Sequence, residues 1–175
     1  MNKEDIEKID LSKLAGKITC GEARGFFTGQ KEHYKLLAYI SELYNGVEIS
    51  DIGTYKGCSA LALSYNQNNA VFSYDVSDMV KIYNPPYNIE FRVIKEEYHK
   101  DILKSKIICL DTIHDGIHEK KVIDFLTKSK WKGLLILDDI HHFPEQNKLW
   151  ESITLKKEDL TEIGHWSGTG LIYFE

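Results

Sequence analysis

Two glycines and one acidic residue in the first half of the chain have the types and spacing that suit a nucleoside-like cofactor. Gly53 and Gly57 lie in the segment D-I-G-T-Y-K-G at positions 51–57, and glycine lets a backbone turn sharply and approach a ligand closely. Asp75 ends the next predicted strand, where a carboxylate can accept hydrogen bonds from both ribose hydroxyls. The G-x-x-x-G spacing alone fits an ordinary tight turn equally well, so the prediction depends on the glycines and Asp75 together.

Three further aspartates, Asp111, Asp138 and Asp139, stand where two later strands are predicted to end. Neighbouring strands lie about 4.8 Å apart, and carboxylates that converge repel each other unless a cation or a proton intervenes. Oxygen ligands suit Mg²⁺ or a similar hard cation, so we predict a divalent-cation site at these residues. Successive strand side chains point to opposite faces. Asp138 and Asp139 can therefore share an ion only if the strand bends; otherwise one of them caps the next helix.

Four histidines follow the same two predicted strands: His114 and His118 after one, His141 and His142 after the other. An unperturbed imidazole titrates near neutral pH and can act as a general base. The predicted catalytic residues are His114 and His141 as alternative proton acceptors, with Asp111 holding the ion. Because His141 and His142 are adjacent, we expect only one of them to face the site. The remaining histidines, for which the sequence predicts no role, are His33, His99 and His165.

These residues must be positioned by strands that alternate with helices, a pattern typical of a mostly parallel sheet covered on both faces. The C-terminal segment 160–174 is predicted to form two short strands around the S-G-T-G turn at 167–170, and their connection is too short for a parallel crossover. The predicted fold is therefore α/β, a Rossmann-like doubly wound sheet of the seven-stranded type with an antiparallel C-terminal hairpin. The other predicted strands are 47–52, 71–76, 89–94, 106–111 and 133–137, and the predicted helices are 3–14, 30–44, 58–65 and 118–128.

Length and composition favour a single domain over residues 1–175. The chain has 175 residues and a net charge of −5, and this acidic balance disfavours a nucleic-acid partner, which normally needs a basic face. Its three cysteines contain no C-x-x-C pair, so neither a disulfide framework nor a structural zinc site is expected. Neither a secretory signal nor an apolar stretch of about 20 residues is visible, so we expect a cytoplasmic protein without a membrane partner.

The segment D-I-G-T-Y-K-G-C-S-A-L at positions 51–61 resembles the E-I-G-T-x-x-G-x-S cofactor loop of class I S-adenosylmethionine-dependent O-methyltransferases, with Asp51 in place of Glu. The resemblance covers about 47–174 and is closest to the small-molecule and sugar enzymes of the catechol and macrocin types. It implies a Rossmann-like core at 47–175 and a lid formed by the N-terminal helices at 1–46. It implies methyl transfer to a hydroxyl of a small molecule or sugar, with Mg²⁺ assistance and a homodimer as further expectations. It also implies that S-adenosylmethionine is bound by Asp51, Gly53, Thr54, Tyr55, Gly57, Ser59, Asp75 and Asp111.

The same resemblance implies that Asp111, Asp138 and Asp139 match the metal-ligand positions, with Asp139 where the catechol type has Asn. Macrocin-like enzymes often carry an acid two residues after the first metal ligand, and here that position is Ile113. His114 or Asp115 would then have to replace that acid as the base.

Two alternatives remain open from the sequence. An NAD(P)-dependent oxidoreductase on a similar sheet predicts the spacing G-x-G-x-x-G and a pair of hydride-site residues, and the glycine spacing found here disfavours it. A non-catalytic cofactor-binding module would keep the fold as a scaffold. The intact set of Gly53, Gly57 and Asp75 disfavours that alternative only weakly.

Overall fold

The computed structural model describes residues 1–29, 31–94 and 100–175, and a seven-stranded sheet forms its centre. The strand order is β3-β2-β1-β4-β5-β7-β6. The first five strands in this order are parallel to one another, whereas β7 is antiparallel to both β5 and β6. The strands are β1 Glu48–Ile52, β2 Ala70–Asp75, β3 Ile89–Val93, β4 Ile107–Leu110, β5 Gly133–Asp138, β6 Lys157–Asp159 and β7 Thr169–Phe174.

Seven α-helices and one short 3₁₀ helix surround the described part of the sheet. Within the described residues, no helix is both long enough and apolar enough to cross a bilayer. The α-helices are α1 Lys3–Glu7, α2 Ser12–Ala15, α3 Gly21–Gly29, α4 Lys31–Glu42, α5 Cys58–Leu63, α6 Ile117–Lys128 and α7 Pro144–Ser152, and the 3₁₀ helix is Lys100–Lys104.

The central strands are buried on both faces, which explains why they are almost continuously apolar. On one face, Ile107 of β4 belongs to a core cluster that includes residues of α4 and α5. Its neighbour Ile108 points the other way, into a second cluster that includes residues of α6 and α7. Strand order reverses where β1 lies between β2 and β4. In open α/β sheets such a reversal opens a crevice at the carboxyl ends of the strands.

The structure confirms the predicted α/β class, the mostly parallel sheet and the antiparallel C-terminal pair. The predicted position of the first strand of this pair was wrong. Both strands were expected within 160–174, but β6 (Lys157–Asp159) precedes that segment. Leu160 is buried in the core, and its carbonyl accepts hydrogen bonds from the amides of Ile163 and Gly164. The chain therefore turns at these residues and continues to β7 only at Thr169.

The helices at the N-terminus also differ from the prediction. The predicted helix 3–14 is divided into α1 and α2 because Asp10 accepts a hydrogen bond from the Ser12 amide at 2.9 Å, which starts a new turn. The predicted helix 30–44 corresponds to α4, and its first position lies outside the described residues. Helices α3 and α7 were not expected from the sequence.

The N-terminal segment is packed into the same core as the sheet. Ile6, Ile18 and Phe27 are buried with residues of α4 and α5. The Thr19 amide donates to the Lys81 carbonyl at 2.8 Å, which ties the segment to the loop after β2. Residues 1–29 therefore contribute core side chains as well as one wall of the cavity described below.

Candidate active site

The loop after β1 has a backbone conformation that depends on Gly53. Its φ is +101°, and a Cβ atom at this position would lie 1.6 Å from the carbonyl oxygen of Asp111. The amides of Gly53 and Thr54 donate to the Tyr74 carbonyl at 2.9 and 3.2 Å, which fixes the loop against β2. Only glycine combines this left-handed backbone with so close an approach of two chain segments.

Asp75, at the end of β2, holds the same loop from its other side. One carboxylate oxygen accepts a hydrogen bond from the Tyr55 amide at 2.7 Å, and the other accepts one from the Ser77 amide at 3.1 Å. The side chain lines a cavity at the carboxyl end of the sheet. The residue predicted to bind ribose therefore also orders the glycine loop.

Asp51 lies beneath the loop, fully buried. One of its oxygens accepts a hydrogen bond from the Ser73 hydroxyl at 2.6 Å, and the other has no hydrogen-bond partner among the described residues. Burial raises the pKa of Asp51 to about 7, although the Ser73 and Ser59 hydroxyls act in the opposite direction. Asp51 lines neither of the cavities described below. It supports the loop from beneath.

Two cavities meet above the loop and share Gly53, Tyr55 and Asp111. The first, about 410 Å³, is called here the apolar cavity, and it has Asp75 at one side. The second, about 300 Å³, is called here the histidine cavity. Residues that line the apolar cavity include Val76, Ile94, Ile113, His114 and His118. Those that line the histidine cavity include Phe26, His33, Thr54, Ser59, Asp138, Asp139, His142, His165 and Trp166.

Asp111, His114 and Asp139 form the first of two groups of acidic and imidazole side chains. Nε2 of His114 lies 3.3 Å from a carboxylate oxygen of Asp111 and 3.3 Å from one of Asp139. Burial lowers the pKa of His114, but the two carboxylates outweigh burial and raise it to about 9. Burial raises the pKa of Asp111 to about 6. At neutral pH this group therefore holds a protonated His114 imidazole between two carboxyl groups.

The loop that carries His114 is held by Glu119, a fully buried residue in the first turn of α6. Its carboxylate accepts hydrogen bonds from the amides of His114 and Gly116, at 2.9 and 3.0 Å, and from the Thr112 hydroxyl at 2.7 Å. This buried anchor fixes the backbone between β4 and α6. It thereby sets the direction of the His114 side chain, whose backbone φ is +56°.

His33, Asp138 and His165 form the second group. Nε2 of His165 lies 2.9 Å from one oxygen of Asp138, and Nε2 of His33 lies 3.7 Å from the other. Burial raises the pKa of Asp138, but the two imidazoles outweigh burial and lower it to about 2. Sequence reasoning gave His33 and His165 no role. A signal was present for His33, because it shares the buried face of α4 with Leu36, Leu37 and Ile40.

The three predicted metal ligands are thus divided between two groups. Asp139 has a φ of +57°, so the chain does bend after β5, but the bend directs Asp138 toward His33 and His165 and Asp139 toward Asp111 and His114. Each group combines nitrogen and oxygen donors. This arrangement does not fit the oxygen-only Mg²⁺ site that the sequence predicts, because Mg²⁺ prefers oxygen ligands alone.

His141 was predicted as a possible proton acceptor, but the structure places it outside both cavities. Nε2 of His141 lies 2.7 Å from a carboxylate oxygen of Asp159. The adjacent His142 instead lines the histidine cavity, where its ring packs edge-on against Trp166 with 5.0 Å between the ring centres. Adjacent side chains point in different directions, so only one of the two can reach the cavity. Gly57, a predicted cofactor residue, also lines neither cavity and packs against Ile82.

Several solved structures that superpose on this chain are named as methyltransferases. A protein from Staphylococcus aureus assigned as a caffeoyl-CoA O-methyltransferase superposes with a TM-score of 0.64 at 14% identity, over 81% of this chain and 82% of its own. An O-methyltransferase from Bacillus cereus, solved in complex with SAH, superposes with a TM-score of 0.62 at 13% identity, over 96% of this chain and 93% of its own.

This chain has the class I methyltransferase fold. An SAH-bound methyltransferase from Podospora anserina gives a similar result, with a TM-score of 0.61 and 14% identity over 94% of this chain and 87% of its own. No protein-family model matches the sequence, and no curated protein sequence matches it significantly. The methyltransferase fold is therefore recognised through the strand order and the loop geometry.

Proposed function

We propose that this protein transfers a methyl group from S-adenosylmethionine to a hydroxyl group of a small molecule or sugar. One observation carries the proposal: two cavities meet at Gly53, Tyr55 and Asp111, at the carboxyl ends of the central strands. A methyltransferase needs this arrangement, because the cofactor and the acceptor must approach each other from opposite sides of the transferred methyl group.

The apolar cavity suits the nucleoside part of the cofactor. Val76, Ile94 and Ile113 offer apolar surface for a base, and the carboxylate of Asp75 can accept hydrogen bonds from ribose hydroxyls. The sulfonium would then lie near the residues shared by both cavities. The negative charge of Asp111 at that point favours a cation.

The histidine cavity suits the acceptor. The exposed rings of Phe26 and Trp166 lie at its wall, and Trp166 is 71% exposed. Flat ring faces of this kind can pack against an aromatic acceptor or against the apolar face of a sugar. The acidic and imidazole groups deeper in the cavity can hydrogen-bond acceptor hydroxyls.

In the proposed reaction the acceptor oxygen attacks the methyl carbon as the carbon–sulfur bond breaks, and the hydroxyl proton leaves. The protein's main contribution is to hold the reacting atoms about 3 Å apart and in line. We assign the proton to the carboxylate of Asp111, which opens on both cavities. His114 has a pKa raised to about 9, so at neutral pH it serves as the positive partner that holds this carboxylate.

Three further features stay predictions: Mg²⁺ at Asp111, Asp138 and Asp139, a cytoplasmic location and a homodimer. We route no step through Mg²⁺, because its predicted ligands are divided between two mixed groups. Treatment with EDTA tests the requirement for an ion, and turnover that is unchanged by EDTA would contradict it.

Calorimetry with S-adenosylmethionine, NAD and NADP, each in a separate titration, tests the proposal. We expect binding of S-adenosylmethionine and none of the nicotinamide cofactors. No binding of S-adenosylmethionine at millimolar concentration would overturn the proposal, and binding of NAD or NADP instead would favour the oxidoreductase alternative. Binding without transfer of a labelled methyl group to any of a panel of sugars and phenols would favour a non-catalytic module.

A further inference from the structure

One of the two mixed groups takes no part in the proton transfer assigned above. His33 lies on α4, Asp138 ends β5, and His165 belongs to the segment before β7. Their side chains are 6%, 7% and 9% exposed, and one donor atom from each lies within 4.8 Å of the others. All three also line the histidine cavity. Three separate parts of the chain thus bring two imidazoles and one carboxylate to a single point.

The hydrogen bonds around His33 show which of its nitrogens carries a proton. The Thr169 hydroxyl has a single hydrogen, which it donates to Asp138 at 3.3 Å. The same hydroxyl oxygen lies 3.2 Å from Nδ1 of His33 and so accepts the Nδ1 hydrogen. A neutral His33 therefore keeps a lone pair on Nε2, which faces the other oxygen of Asp138 at 3.7 Å. Two electron-rich atoms in this position are stabilised by a proton or a metal cation between them.

His165 forms a hydrogen bond at each ring nitrogen. Its Nε2, 2.9 Å from the Asp138 carboxylate, donates to that carboxylate, and its Nδ1 contacts the Ser167 hydroxyl. Imidazoles that bind metals generally use the second ring nitrogen for a hydrogen bond, which fixes the ring and its tautomer. Both His33 and His165 have such a partner. His33 can therefore direct the lone pair of Nε2 toward Asp138, and His165 can do so once an ion replaces its Nε2 hydrogen.

We propose that His33, Asp138 and His165 bind a divalent transition-metal cation of the Zn²⁺ or Co²⁺ type, and not Mg²⁺. Two imidazoles and a carboxylate suit such ions. Ligand bonds of about 2.0–2.1 Å in a tetrahedral site would place the donor atoms about 3.3 Å apart. Nε2 of His165 and Nε2 of His33 lie 2.9 and 3.7 Å from different oxygens of Asp138, so the carboxylate must rotate slightly for one oxygen to serve as a ligand beside both imidazoles.

The remaining coordination position would open on the histidine cavity, where an acceptor oxygen could bind. This role for the ion in orienting and acidifying the acceptor rests on the proposed methyl transfer. Binding of the ion to the three side chains does not rest on it. Experiments can therefore contradict the metal site and the methyl transfer independently of each other.

The proposal is tested by titrating the EDTA-stripped protein with Co²⁺ and following its visible absorption, with Zn²⁺ and Mg²⁺ as competitors. We expect one Co²⁺ per chain, displaced by Zn²⁺ and retained in millimolar Mg²⁺. His33→Gln and His165→Gln should each weaken Co²⁺ binding by at least about tenfold. His141→Gln is the matched control, because His141 contacts Asp159 outside both cavities, and it should bind Co²⁺ like the unmodified protein.

A second measurement uses the unmodified protein, so it tests the proposal even if the variants fail to fold. The proton NMR spectrum of the Co²⁺ protein should contain two exchangeable, strongly shifted signals, one from the Nδ1 hydrogen of each imidazole. Their absence, or no bound Co²⁺ at all, would overturn the proposal and leave a hydrogen-bonded network. Loss of Co²⁺ in Asp111→Asn or Asp139→Asn, with full binding in His33→Gln and His165→Gln, would overturn it too.

A parallel titration with S-adenosylmethionine separates this site from the proposed function. Binding of S-adenosylmethionine by a protein that binds no Co²⁺ would contradict only the metal site. Binding of Co²⁺ by a protein that does not bind S-adenosylmethionine would contradict only the methyl transfer.

Discussion

At the scale of single residues, Gly53 combines a left-handed backbone with direct contact between two loops. Its missing side chain leaves room for the Asp111 carbonyl, which a Cβ atom would approach to 1.6 Å. The loops after β1 and β4 can therefore meet only if this position is glycine. Both loops contribute residues to the two cavities, so we expect cofactor binding to depend on this contact.

We expect Gly53→Ala to weaken S-adenosylmethionine binding by at least tenfold and to lower the free energy of unfolding by roughly 1–3 kcal/mol, because of backbone strain. Calorimetry and urea unfolding measure the two effects. Gly25→Ala is the control, because no atom lies within 4 Å of its added Cβ and alanine favours a helix by roughly 0.5–1 kcal/mol. Binding by Gly53→Ala equal to that of the unmodified protein would contradict the prediction.

Asp75 is expected to contact the cofactor directly. Asp75→Asn keeps an oxygen for one loop amide but loses the charge and the second acceptor, so we expect S-adenosylmethionine affinity to fall about tenfold, or about 1.4 kcal/mol. Asp124→Asn provides the control, because Asp124 forms an exposed ion pair with Lys120 on α6. If Asp75→Asn and Asp124→Asn bind S-adenosylmethionine with equal affinity in calorimetry, Asp75 does not contact the ribose.

The buried carboxyl of Asp51 should make stability depend on pH. Burial raises its pKa from the usual 3.8 to about 7. Between these values the folded chain keeps the proton while the unfolded chain has lost it, so the free energy of unfolding falls as pH rises. We expect this contribution to be full below about pH 4 and to be lost progressively toward about pH 7.

Urea unfolding across this pH range checks the effect of Asp51 against a variant that cannot ionise. Asp51→Asn should reduce the fall in stability, because its amide carries no charge at any of these pH values, and the fall that remains belongs to Asp111, whose pKa burial also raises. Asp124→Asn, on the protein surface, should keep the slope of the unmodified protein. An unchanged slope in Asp51→Asn would show that other groups cause the pH dependence.

At the scale of elements, α3 presents two adjacent phenylalanines to different surroundings. Phe27 is 1% exposed and belongs to the core, whereas Phe26 is 47% exposed and lines the histidine cavity. We expect Phe27→Ala to lower the free energy of unfolding by roughly 3–5 kcal/mol. Phe26→Ala should leave stability nearly unchanged and raise the KM for the acceptor.

Urea unfolding and steady-state kinetics on this pair of variants test the orientation of α3. The affinity for S-adenosylmethionine, measured in both variants, is the internal control and should change little in Phe26→Ala. A large loss of stability in Phe26→Ala would mean that α3 is rotated relative to the sheet. An unchanged acceptor KM would remove Phe26 from the acceptor site.

At the scale of the whole molecule, both cavities depend on one sheet and its connecting loops. A ligand that binds only the folded chain stabilises it by RT ln(1 + [L]/Kd), about 2.7 kcal/mol at a hundredfold excess over Kd. We therefore expect S-adenosylmethionine at that concentration to raise the Tm by roughly 5–10 °C. NAD serves as the control ligand in the same thermal scan, and equal shifts would contradict the assignment of the cofactor.

Several features of the fold could be predicted because they depend on local patterns. The apolar run at Ile107–Leu110 and the glycines at 53 and 57 indicate a buried strand and a tight loop whatever surrounds them. Where the local signal is weak, prediction failed. The short polar strand β6, Lys157–Asp159, is recognisable only through its pairing with β7, because its sequence K-E-D does not favour a strand.

Local sequence patterns predict the α/β class, the glycine loop, Asp75 at the end of β2 and the aspartates that follow β4 and β5. How those aspartates are grouped becomes visible in the folded chain alone. Asp138 meets His33 and His165, while Asp139 meets Asp111 and His114. The physical reason is that residue types and strand ends are local properties of the chain. The direction of a side chain after a bend, and its partners from distant elements, are set by packing of the whole molecule.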